Sequence, residues 1–134
     1  MNVNELMIGD WFFINHKSNR LTPCNGKVSA ILNETDINTT DSVIDISLLE
    51  PIPITHEILE KNGFVKKILT DEGTNESYTA YQWNPTPQFP NDGIWLYPDD
   101  VHGYEYSYDI RIKYVHQLQH LFRLTYVNNE IIIE

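Results

Sequence analysis

Apolar and polar positions alternate along this chain in two different periods. Between residues 8 and 50 the apolar runs are short: Trp11-Phe12-Phe13-Ile14, then Lys27 to Leu32, then Val43 to Leu49. Short runs of this kind, bounded by turn residues, predict strands. Ile8-Gly9-Asp10 reads as a turn into the first strand, and Asn25-Gly26 as a two-residue hairpin turn, since both residues tolerate positive φ. Asn33 to Ser42 is rich in Thr, Asn and Asp and predicts an exposed loop. Several short strands joined by tight turns predict a small SH3-like β-barrel over residues 1-54.

Beyond Pro51 and Pro53 the signals turn helical. Thr55 suits an N-cap, Ile54 can staple onto Leu59, and Glu57 falls in the first turn, where the helix dipole favours an acid. Gly63 supplies the left-handed residue just past the end, letting Phe64 fold back on Leu59. Strands are then expected at Phe64 to Thr70, Tyr78 to Trp83, Ile94 to Tyr97 and Tyr104 to Ile112. The last alternates, with Tyr104, Tyr106, Tyr108, Ile110 and Ile112 on one side and Glu105, Ser107, Asp109 and Arg111 on the other.

"YVHQLQHLFRL", Tyr114 to Leu124, has helical period. At 100° per residue, Tyr114, Val115, Leu118, Leu121, Phe122 and Tyr126 form an apolar stripe, while His116, His120 and Arg123 lie opposite, on the face expected to meet solvent. Asn128-Asn129 turns into a final strand, Ile131 to Ile133. Residues 55-134 thus predict an α+β unit, an antiparallel sheet covered by the C-terminal helix, packed with the barrel as one body.

His116 and His120 have the spacing of a zinc-peptidase helix, but that chemistry needs a glutamate after the first histidine as general base, and a third ligand. Gln117 stands in the glutamate's place, and its amide cannot take a proton from a metal-bound water. Arg123, one turn on, opposes a divalent cation. The pair predicts a solvated helix face, with no metal and no cofactor; a metal-dependent hydrolase using His116 and His120 is the alternative. Asp99, Asp100 and His102 sit in a polar turn between Pro98 and Gly103, and Cys24 in a turn without a basic neighbour. Neither arrangement reads as catalytic, and no phosphate-binding glycine loop or nucleophile elbow occurs.

The formal net charge of −10 repels phosphate backbones, so direct nucleic-acid binding is not expected, although an acidic DNA mimic remains a further alternative. One cysteine suits a reducing compartment, no apolar run is long enough to span a membrane, and the N-terminal residues lack the pattern of a signal peptide. A cytoplasmic protein is the expectation. Of eleven Trp and Tyr residues, nine lie between Tyr78 and Tyr114. Alternate tyrosines at 104, 106 and 108 suit a core. Trp83 and Trp95, in contrast, flank the long loop "NPTPQFPNDG", and long loops more often carry function. Trp83, Phe89, Trp95 and Tyr97 are therefore the candidate binding residues, large rigid surfaces with a polar handle.

"IGDW" (Ile8 to Trp11), "EPIPIT" (Glu50 to Thr55), "EILEKNGF" (Glu57 to Phe64) and "YVHQLQHLFRL" together resemble a family of small proteins from gut Bacteroidales genomes, often in prophages or mobile elements. The matches keep their order across nearly the whole chain. Members often carry Glu where Gln117 stands. The resemblance implies a phage or mobile-element setting and no particular activity. The expectation is a non-catalytic interaction module acting on another protein.

Overall fold

Strand β1 forms at Trp11–Ile14, where the sequence predicts it, and alternate residues Phe12 and Ile14 turn into the core. Its antiparallel partner is β2, Cys24–Lys27, with Phe12 opposite Gly26 and Phe13 opposite Asn25. Asn25-Gly26 is therefore strand and not the expected turn. Glycine serves packing there: a Cβ on Gly26 would come within 2.5 Å of Ile14 Cδ1, so the isoleucine occupies the space glycine leaves open. β6, Leu49–Glu50, pairs with the other edge of β1.

The returning strand expected over 27 to 32 is shorter than the run that suggested it. β3 is Ala30–Ile31, and it pairs with β4, Asp36–Asn38, inside the stretch read as an exposed loop. Asn33 makes the turn between them, its Oδ1 accepting from the backbone N–H of Thr35 at 2.8 Å and of Asp36 at 2.9 Å. Ile37, the only apolar residue of that stretch, is fully buried and anchors β4. β5, Val43–Asp45, completes a second three-stranded sheet, and a single 3-10 turn, Ile46–Leu48, leads into β6. Leu6, Phe12, Ile14, Val28, Ile37, Ile44, Ile46 and Leu49 form one core cluster. Two three-stranded sheets stand here, and no closed barrel is seen among the described residues.

Helix α1, His56–Lys61, follows its sequence signals closely. Thr55 Oγ1 accepts from the Ile58 N–H at 3.2 Å, and Gly63 has φ +92°. The Phe64 N–H donates to Leu59 O and the Gly63 N–H to Glu60 O, the two hydrogen bonds of a Schellman ending.

Strands β7 (Val65–Thr70), β8 (Ser77–Trp83), β9 (Ile94–Asp99), β10 (Gly103–Ser107) and β11 (Ile110–Ile112) form a five-stranded antiparallel meander. The alternating run Tyr104 to Ile112 is thus two strands, β10 and β11, which pair with each other through a register shift between Glu105 and Ser107. Alternation alone does not distinguish one long strand from a hairpin with a short connection. α2, Val115–Leu124, is the second helix. The expected final strand is an irregular segment: Asn62 holds Ile132 by accepting from its N–H and donating to its C=O, both at 2.6 Å, and Ile131 is buried.

The computed structural model describes residues 5–15, 24–39, 42–86, 88–99, 103–107, 110–125 and 130–133; the expectations for Asp100, His102, Tyr108, Asp109, Tyr126 and Asn128-Asn129 fall outside these. The fold class is α+β. By contacts the chain groups into two units, Met1–Pro53 with Tyr114–Asn129, and Ile54–Lys113 with Glu130–Glu134. The first of these breaks falls between Pro53 and Ile54. α2 groups with the N-terminal strands, however, and it is α1 that covers the five-stranded sheet. No described helix is long and apolar enough to cross a membrane.

Candidate functional site

In the first unit the turn Ile8 to Trp11 and helix α2 come together. Asp10 follows a turn closed by its own N–H to Met7 O, and its carboxylate is wholly buried. Oδ2 accepts from the Met7 N–H at 2.8 Å and from His120 Nε2 at 2.7 Å, while Oδ1 accepts from Arg123 Nη1 at 3.1 Å. A carboxylate only accepts, so the proton of the imidazole bond sits on Nε2. Arg123 Nη2 also donates to Ile8 O at 2.9 Å. Gln119 binds the flanking backbone with both ends of its amide, Oε1 accepting from the Trp11 N–H at 2.9 Å and Nε2 donating to Gly9 O at 2.8 Å.

The helix face expected to be solvated is therefore a contact face. His116, Gln119, His120 and Arg123 recur at helical spacing, and all four are buried or half-buried. His116 is 5% exposed and stacks on Phe12, with ring centroids 4.8 Å apart, and on Tyr114 at 5.9 Å. Its Nδ1 is buried without a hydrogen-bond partner. Burial pushes its pKa down; Asp10 works against that shift, His120 with it, and Glu5 against it. The apolar stripe behaves as predicted, with Val115, Leu118, Leu121 and Phe122 all buried, so α2 is covered on two sides. Polarity does not imply exposure here, because the Asp10 carboxylate meets His120 and Arg123 while the backbone of the turn meets Gln119 and Arg123.

This arrangement orients groups more than it presents them. Gln117 is committed to the helix start, its Oε1 accepting from the Tyr114 N–H at 3.0 Å, as an N3 residue does in a capping box. Glu5, Met7, Gln117 and the two histidines line an open cavity of about 270 Å³. Among the described residues no three His, Cys, Asp or Glu side chains converge to hold a metal ion. Asp10 and Gln119, which complete the cluster, were not singled out from the sequence. Polar residues spaced 116, 119, 120 and 123 are the signal that points to a polar partner for this face.

In the second unit the five-stranded sheet has two unlike faces. Cross-strand register puts Tyr81, Trp83, Ile94, Leu96, Tyr104 and Ile112 on one. Five of these are buried, and α1 lies over them: His56 Nδ1 hydrogen-bonds the Tyr81 hydroxyl and its ring sits edge-on to Tyr104. Burial first, and then Glu60, push the Tyr81 hydroxyl up. The other face carries Val65, Lys67, Tyr78, Ala80, Gln82, Trp95 and Tyr97. Tyr78 and Tyr97 lie 6.3 Å apart by ring centroids, and they remain 43% and 37% exposed.

Trp95, half-buried, and Tyr97 thus share the more open face, on which Ala80 and Gln82 are nevertheless buried; Trp83 belongs to the covered one beside Gly63, and Phe89 is exposed on the loop between β8 and β9. That loop is held to the sheet. Gln82 Nε2 donates to Pro90 O and Asp92 O, Asn84 Nδ2 to Phe89 O at 2.9 Å, and Trp95 Nε1 to Asn91 O at 3.0 Å. Cys24 is exposed at the start of β2, and Asp99 ends β9. Comparison with protein-family models, with curated proteins and with solved structures finds no match to this chain.

Proposed function

We propose that the protein is a non-catalytic interaction module that binds another protein through the open face of its five-stranded sheet. One observation carries this: Tyr78, Trp95 and Tyr97 stand together on the sheet face that no helix of the second unit covers. A one-sided antiparallel sheet normally turns polar residues outward, and aromatic groups there favour a partner that removes them from water. The pinned loop with Phe89 at its surface adds a rigid rim, so little ordering is needed on binding. The N-terminal sheets and α2, in an SH3-like arrangement, serve as scaffold. The resemblance to prophage and mobile-element proteins suggests the setting, and the lone cysteine a cytoplasmic one.

The test is affinity capture from host lysate with wild type and with two double variants, Trp95→Ala with Tyr97→Ser, and His116→Ala with His120→Gln. A partner held by wild type, lost by the aromatic variant at unchanged melting temperature, and kept by the folded fraction of the histidine variant is expected. Retention by the aromatic variant removes this face from the assignment. Capture that collapses between low and moderate salt favours the acidic mimic instead.

A further inference from the structure

The end strand of the same sheet points to the chemistry of the partner. β7 pairs with β8 over six residues without a bulge, Val65 opposite Gln82 through Thr70 opposite Ser77, and no described strand lies on its other side. Every second residue of such a strand directs its N–H and C=O outward, a template for one more strand. Val65 and Ile68 are 56% and 64% exposed. Lys66 and Lys67 are also exposed, and neither ammonium has an ion pair or hydrogen bond among the described residues. In a protein of net charge −10 these are two adjacent exposed cations on the edge strand.

Beside them is a depression of about 230 Å³ lined by Gly63, Val65, Lys67, Gln82, Asn84 and Pro90. Its walls are fixed, because Gln82 spans from β8 to the loop by donating to Pro90 O at 2.7 Å and Asp92 O at 2.8 Å. Val65 and Lys67 point to the same side of β7, the open face. A strand laid against β7 would place alternate side chains on that side, one of them over the depression.

We infer that β7 accepts a sixth strand from the partner: an extended segment bearing a glutamate whose carboxylate meets Lys67 while its methylenes lie against Val65 and Pro90. Backbone pairing supplies affinity in strand addition, and a pocket for an alternate side chain supplies selectivity. A second copy of this chain suits the edge less well, because its β7 would bring the same two lysines to the seam. The inference rests on the protein-binding reading and adds the sheet edge to the open face.

An array of immobilised decapeptides tests it, each alternating Thr and Val around one central position varied through all residue types. Central Glu or Asp should bind at least tenfold more tightly than central Lys. N-methylation of alternate amides in the best peptide should weaken binding tenfold or more in one parity and little in the other. Lys67→Glu should reverse the preference to central Lys, and Lys67→Met should abolish the acidic preference alone. Absence of binding by any peptide overturns the inference, as does binding indifferent to N-methylation and to Lys67→Glu; in that result the lysines only guard the edge against pairing. Peptide binding lost on Trp95→Ala but indifferent to changes on β7 sinks the edge and leaves the face. Edge binding together with lysate capture unaffected by the aromatic variant does the reverse.

Discussion

His120 Nε2 lies 2.7 Å from Oδ2 of Asp10, a wholly buried carboxylate 110 positions earlier in the chain. The contact ties the turn before β1 to α2, and it makes Asp10 the centre of a cluster that includes Arg123 and the Met7 N–H. Removing one partner of a buried ionic cluster leaves the others uncompensated, at about 3–5 kcal/mol. His120 and Arg123 keep 30% and 34% of their side-chain exposure, so water recovers part of that loss.

Asp10→Ala should accordingly destabilise the protein by about 3 kcal/mol, the lower end for a broken buried pair, read as a fall in the urea midpoint at constant slope. Combined with Arg123→Ala, its effect should fall short of additive by about 0.5–3 kcal/mol, as for residues in one network. Strict additivity in the double-mutant cycle would show that the guanidinium and the carboxylate do not support each other in solution.

His116 predicts a pH dependence whose sign follows from burial. Its folded pKa lies below the usual imidazole value of about 6.5, so the unfolded chain binds the extra proton first. The stability that depends on a neutral His116 is complete above about pH 6.5 and declines as pH falls from there toward the folded pKa. His116→Phe keeps a ring to stack on Phe12 and Tyr114 and removes the partnerless Nδ1. Denaturant midpoints measured from pH 7.5 to pH 5 should drop less for this variant than for wild type. Parallel curves would mean that His116 protonates without cost to the fold.

Two glycines separate backbone strain from steric overlap. Gly63→Ala meets only ordinary contact with the Trp83 indole at 3.4 Å, so its cost should be that of positive φ, about 1 kcal/mol. Gly93 has φ +97°, and a Cβ there would overlap the Trp83 carbonyl oxygen. Gly93→Ala should therefore cost distinctly more, and should also loosen the β8–β9 loop, seen as faster amide exchange at Phe89 and Asp92. Equal costs at the two positions would contradict this geometry.

Where neighbouring residues decide the structure, the sequence carries the signal. The capped helix α1 has its start at Thr55 and its end at Gly63, and strands β1, β8 and β9 fall close to their predicted bounds. Long-range partners were not readable. The polar stripe of α2 reads as exposed because its complement, the Asp10 carboxylate and the backbone of residues 8 to 11, is distant in sequence. Asn25-Gly26 has turn chemistry, but pairing with Phe13 and Phe12 overrides it. Trp83, Trp95 and Tyr97 read alike in the sequence, and only cross-strand register puts Trp83 on the opposite face.

The chain leaves the first unit after Pro53 and returns at Tyr114, and these two residues bridge as antiparallel neighbours. Val115 N–H bonds Ile52 O at 2.8 Å on one side of that seam, and Ile54 N–H bonds Lys113 O at 2.9 Å on the other. Residues 54–113 therefore leave and rejoin the first unit at adjacent points of the chain, and Glu130–Glu134 returns to the second unit. During synthesis, Asp10 waits for its histidine and arginine until that whole stretch has been made. If the stretch folds first, it shortens the effective loop that must close to bring α2 back, lowering the entropic cost of finishing the first unit.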